Sequence, residues 1–155
     1  MANSKTPLNS KGQISELLLK LVPTEQLNVM LSSAEHADVI TKMSEKVNKI
    51  PDINETDSMV RHPLALHYFA GSCDWYVCEW DKEDTFFGYV ILNNDIECSE
   101  WGYINRKELL ELEHVFIKNG LGVLNLDFHC RYETIEDALY ARDKQYFNKY
   151  NKEVK

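Results

Sequence analysis

Four kinds of side chain in this chain have the chemistry to do work. Asp74, Glu79 and Glu100 lie close in sequence and could pair as acid and base, which requires environments that split their pKa values. Asp127 and His129 sit two apart in the alternating run "LNLDFHCR", so on a strand they share a face and the carboxylate can orient the imidazole. Cys73, Cys78, Cys98 and Cys130 are four thiols, with His67 and His129 as imidazoles that could join them around a metal. Trp75 and Trp101, each following a carboxylate, are rigid aromatic surfaces of the sort that anchor binding interfaces.

Each has a plainer alternative. No Cys-x-x-Cys pair is present, and Cys73 and Cys78 differ by an odd number, so a strand points them to opposite faces. The expectation is therefore free thiols, no metal and no cofactor. Cys130 next to His129 is not a dyad for the same reason of parity. No G-x-S-x-G, P-loop or H-E-x-x-H occurs. Alternation over 124–131 is also what a half-exposed strand shows without any catalytic role.

Charge is concentrated in one stretch. The chain carries −8 overall, and residues 74–100 hold Asp74, Glu79, Asp81, Glu83, Asp84, Asp95, Glu97 and Glu100 against Lys82 alone, nearly all of that excess. Such a surface repels phosphate, so direct nucleic-acid binding is not expected, even with many aromatics nearby. Charged turns on a sheet can serve only to keep its edges apart. They can also dock on a basic partner, in which case encounter is fast and salt-sensitive.

The elements that must position these groups follow from periodicity. Ile14, Leu17, Leu18 and Leu21 mark a helix over 13–22, ended by Pro23. Thr24 caps a second helix to Leu31, and Ser32 with Glu35 opens a third over 33–49, stopped by Pro51. From residue 64 the period becomes two. Strands are expected at "LALHYFAG", "CDWYVCEWD", "TFFGYVIL", "SEWGYI" and 122–131, with tight turns at Gly71-Ser72, "KED" and "NND". On "CDWYVCEWD", Trp75, Val77 and Glu79 should share one face. Asn105 and Thr134 cap helices over 106–113 and 134–149. The fold class is α+β: an antiparallel β-meander of about five strands with flanking N-terminal and C-terminal helices.

With 155 residues, 44% of them apolar, the chain makes one domain over 13–155, a helical part to 60 and a sheet with helices from 61, after a flexible arm at 1–12. No apolar run is long enough for a membrane, and "MANSKTPLNSKG" lacks a signal-peptide core, so a cytoplasmic setting with reduced cysteines is expected.

The string His67, Tyr68, Phe69, Gly71, Asp74, Trp75, Tyr76, Glu79, then Phe87 and Gly88, then Glu100, Trp101, Gly102 and Tyr103 resembles a family of small uncharacterised domains encoded on bacterial plasmids, conjugative elements and phages. The resemblance covers roughly residues 64–130 and implies a mobile-element setting rather than a reaction.

Together these readings favour a non-enzymatic protein that binds another protein, an acidic inhibitor of a basic, nucleic-acid-handling host defence protein. Its contact residues would be Asp74, Trp75, Glu79, Asp81, Glu83, Asp84, Asp95, Glu97, Glu100 and Trp101. The alternative is a small hydrolase or ligand-binding enzyme using Asp74, Glu79, Glu100, Asp127 and His129. Geometry discriminates: an enzyme brings at least three of those five into one concave pocket, whereas a binding module spreads them over a face.

Overall fold

Strand alternation and tight turns are enough to build the centre of the molecule. The computed structural model describes residues 15–120 and 122–152; the arm at 1–12 and the first residues of the expected helix 13–22 lie outside them. Strands β1 (Leu66–Ala70), β2 (Cys73–Trp80), β3 (Thr85–Ile91) and β4 (Glu100–Asn105) run up and down as neighbours. Gly71, Lys82, Asn93 and Asn94 have positive φ in the three connecting turns, as tight reversals demand. After β4, helix α4 (Arg106–Lys118) carries the chain to the opposite edge, where β5 (Asn125–Leu126) pairs antiparallel with β1. The sheet order is β4-β3-β2-β1-β5.

Both faces of the sheet are covered. On one, Leu66, Tyr68, Trp75, Val77, Trp80 and Phe86 pack with Leu18, Leu21, Met43 and Leu109 from α1 (Glu16–Leu19), the turn after it, α3 (Ala37–Val47) and α4. On the other, Tyr76, Cys78, Tyr89 and Ile91 pack against Ile135, Leu139 and Phe147 of the C-terminal segment, which begins with α5 (Ile135–Arg142). Cys73 and Cys78 indeed fall in opposite layers.

The phase of β2 departs from simple alternation. Val77 pairs with Gly88 but Glu79 pairs with Phe87, so Cys78 is an extra residue, a β-bulge. Trp80 therefore joins Trp75 and Val77, while Glu79 turns to the loop before β1, where Thr56 touches both Glu79 and Cys78.

The helix expected over 13–22 ends at Leu19, and three further helix boundaries and one strand also differ from expectation. The helix over 33–49 begins as a 3-10 turn at Ala34–His36, with Ser33 rather than Ser32 accepting from Glu35 N–H. Helix α4 runs to Lys118, beyond the expected 113, before Gly120 reverses the chain with a φ of +69°. The last helix stops at Arg142 because the Asp143 carboxylate accepts the N–H groups of Gln145 and Tyr146, offering the backbone a competing turn. The strand over 122–131 shrinks to two residues: beyond Asp127, whose N–H still reaches the His67 carbonyl at 2.8 Å, the carboxylate captures His129 N–H and bends the chain away. The Asn105 and Thr134 caps are made as read, to Glu108 and Asp137 N–H.

Helix α2 (Thr24–Leu31) is capped from a distance. Pro23 occupies the N-cap position and offers no side-chain acceptor, and Thr24 is already helical. The buried Glu113 of α4 supplies both oxygens instead, to Thr24 and Glu25 N–H at 3.2 and 3.0 Å. Its charge also faces the positive end of the helix dipole. Glu113→Ala should cost about 2 kcal/mol, and Glu113→Gln roughly half that, in urea unfolding. A variant as stable as wild type would show that α2 does not depend on this carboxylate.

Candidate functional site: a histidine between two carboxylates

The β1–β2 hairpin sets the floor of the site. Its register pairs His67 with Tyr76 and Phe69 with Asp74, so His67 and Asp74 are diagonal neighbours on one face. The imidazole stacks on Tyr76 at 4.6 Å, nearly parallel, and its Nε2 lies 2.8 Å from Asp74 Oδ1. Just past the end of β5, Asp127 brings Oδ2 to 3.4 Å from His67 Nδ1, while its Oδ1 is occupied by His129 N–H at 2.8 Å.

The far wall is α5. Its placement depends on another buried carboxylate, Glu136, which accepts His62 N–H at 2.8 Å and faces His62 Nδ1 at 2.7 Å. That contact, with the Pro63–Thr134 bridge, fixes the helix along the residues leading into β1. Arg142, at the C-terminal end of α5, then reaches both Asp74 Oδ2 and Asn94 Oδ1. Asp74 is buried and held by two partners, the Arg142 guanidinium and the His67 imidazole. It is a fixed acceptor that keeps the imidazole N–H on Nε2 and leaves Nδ1 turned to Asp127.

Between these walls lies a cleft of about 440 Å³, lined also by His129, Cys130, Arg131 and Tyr132. Burial, reinforced by the Asp127 charge, pushes the Cys130 thiol above its usual range, so the resting group is neutral. Burial and then the Asp74 charge likewise raise Tyr76, which stays a phenol. Arg131 is exposed at the mouth and has no ion pair or hydrogen bond among the described residues.

Of the five groups in the enzyme alternative, Asp74, Asp127 and His129 converge on this cleft. Glu79 does not: it is 1% exposed and spent on Asn54 and Thr56. Glu100 is exposed at the start of edge strand β4. Trp75 is buried beside Phe116 of α4, and Trp101 is half-buried, stacked on Phe87 and set edge-on to Tyr89. Asp81 accepts Glu83 and Thr85 N–H, Asp84 pairs with Arg106 at 2.7 Å, and Asp95 accepts Cys98 N–H. Glu83 and Glu97 remain exposed.

Arg142 stood outside the sequence-based site, and His67 entered it only as an imidazole that could join the thiols around a metal. Gly71-Ser72 carried the signal for His67: a tight hairpin there places residue 67 beside residue 74. Nothing local announces Arg142.

No family model, curated protein or solved structure matches the chain, so its function is argued from this geometry. No helix among the described residues is long and apolar enough to cross a membrane.

Proposed function

We propose that the chain is a ligand-binding enzyme of the acid–base type, a small hydrolase by class, working in the cleft between β1, the 127–132 loop and α5. The observation that carries this reading is the convergence of His67, Asp74, Asp127 and His129 in one concavity closed by Arg142. His67 is the proton-transfer group, Asp74 its orienting carboxylate, and Asp127 an acceptor for a ligand donor. Arg131 suits an acceptor or anionic group on the same small polar molecule.

Backbone amide NMR with a panel of amino acids, nucleotides, sugar phosphates and inorganic phosphate, run on chelator-stripped protein, tests it. The expected result is a ligand whose shifts cluster at residues 67, 74, 127–132 and 142 and vanish in Arg131→Ala. A panel that shifts nothing there, or shifts only residues 92–100, rejects the cleft.

A second reading rests on the end of the sheet where Leu92 is 49% exposed beside Asp95 and Glu100, with Glu97 exposed nearby. That rim suits a basic protein partner, such as a host nucleic-acid-handling defence protein in a mobile-element setting. Under it, Glu97→Lys with Glu100→Lys should abolish salt-sensitive capture of a partner from host lysate. Unchanged capture leaves these charges to solubility. Asp95 is kept because it caps the local turn.

A further inference from the structure

The distance between His67 Nδ1 and Asp127 Oδ2 is 3.4 Å, long for a hydrogen bond. It is the separation expected of two ligands on one tetrahedral zinc, where bonds of about 2.0 Å put neighbouring donor atoms about 3.3 Å apart. Cys130 completes a set of three: one donor atom each from His67, Asp127 and Cys130 lie within 4.8 Å of one another. Both nitrogen and oxygen donors are already oriented from behind. Asp74 fixes the His67 tautomer through Nε2, and His129 N–H holds the second oxygen of Asp127. A carboxylate behind a ligating histidine is the usual support of zinc sites.

We propose that His67, Asp127 and Cys130 bind one Zn²⁺ ion in the cleft, leaving its fourth position open toward Arg131. The inference rests on the reading of this cleft as the functional site and adds the ion that the site takes; in the loaded protein His67 and Asp127 hold the ion, in place of the proton-transfer and acceptor roles open to them in the stripped protein. An N, O, S donor set is too soft for Mg²⁺ or Ca²⁺ and suits zinc. Three protein ligands with one position free is the arrangement of a catalytic rather than a structural zinc. Binding requires Cys130 to move inward by roughly 1 Å, from the outer limit of the observed spacing to tetrahedral contact, and to release its proton as the ion arrives. The thiol is half-buried in the segment after β5 and does not belong to the sheet.

Zinc titration of chelator-stripped protein, followed by calorimetry, should show one ion per chain. Co²⁺ in its place should give a thiolate-to-metal charge-transfer band that Cys130→Ser removes. Asp74→Asn, which contacts no metal, should weaken zinc binding roughly 10–100-fold. Wild-type protein provides a readout independent of any variant's folding: zinc should slow alkylation of Cys130 and leave the exposed Cys98 unchanged. Absence of stoichiometric zinc uptake, or uptake and Co²⁺ spectra unchanged in Cys130→Ser, overturns the site. Ligand binding by stripped protein that takes up no zinc removes the metal while the cleft stands as the ligand site.

Discussion

Gly88→Ala should be severely destabilising, costing at least about 3 kcal/mol and lowering the melting temperature by roughly 10 °C. Gly88 lies in β3 opposite Val77, at the bulge. A Cβ built there falls 1.8 Å from the Tyr76 carbonyl oxygen, 2.8 Å from its carbon and 2.9 Å from Val77 Cα. All three are backbone atoms of the central strand, so no rotamer change makes room. Strands β2 and β3 must part, and the ladder that also holds Tyr76 under the imidazole opens with them. Gly102, facing Gly88 across the β3–β4 ladder, is the control: its Cβ would meet nothing within 4 Å. Gly102→Ala should stay within about 0.5 kcal/mol of wild type or gain slightly, because glycine loses more backbone entropy on ordering. Thermal melts of both variants read this directly. If Gly88→Ala melts with wild type, the strands do not approach as closely as the bulge requires.

Removing the Glu79 carboxylate should cost about 3–4 kcal/mol. The group is 1% exposed and accepts three hydrogen bonds, from Asn54 N–H at 2.8 Å, Thr56 N–H at 3.0 Å and the Thr56 hydroxyl at 2.5 Å. Thr56 is itself buried, and Asn54 is held at a φ of +74°. Glu79→Ala strands these donors away from water. Glu79→Gln keeps the shape but turns an amide NH₂ toward them, so an intermediate loss is expected. The damage should be local first, with the loop 51–63 becoming the preferred site of limited proteolysis before global unfolding. Because Glu79 and Thr56 share one network, Thr56→Val should add little in the Glu79→Ala background. An alanine variant within about 1 kcal/mol of wild type would mean that the loop is anchored elsewhere.

For Gly88 and Glu79 alike the demand is structural. Glu79 looked like half of a catalytic pair because sequence distance from Asp74 is short. Different partners separate their tasks: Asp74 faces the cleft, and Glu79 is consumed by the loop before β1. Trp75 looked like an interface anchor and is core, since α4 crosses over the face it occupies. Asp81, Asp84 and Asp95 contributed to an acidic surface on paper, yet each accepts hydrogen bonds that shape its own turn or pairs with a cation. A net-charge count over a stretch of sequence does not distinguish such uses.

What the sequence determined by itself is whatever depends on neighbours a few residues apart. Period-two alternation and turn residues specified the meander, the Gly71-Ser72 hairpin, the opposite faces of Cys73 and Cys78, and the caps at Asn105 and Thr134. These are interactions between i and i+2, i+3 or i+4, and residue types alone determine them. Tertiary structure decided the rest. The α4 crossover set β5 beside β1, and only that placement brings Asp127 and Cys130 to His67. The packing of α5 on the residues before β1 carries Arg142 to Asp74, 68 positions earlier in the chain. Glu113 caps a helix from 89 residues away. The bulge at Cys78 inverted the phase of the last residues of β2, and competing Asp side chains cut short the last strand and helix. Each of these is a choice between locally equivalent conformations, made by whichever one satisfies buried polar groups and fills the core once distant segments have met.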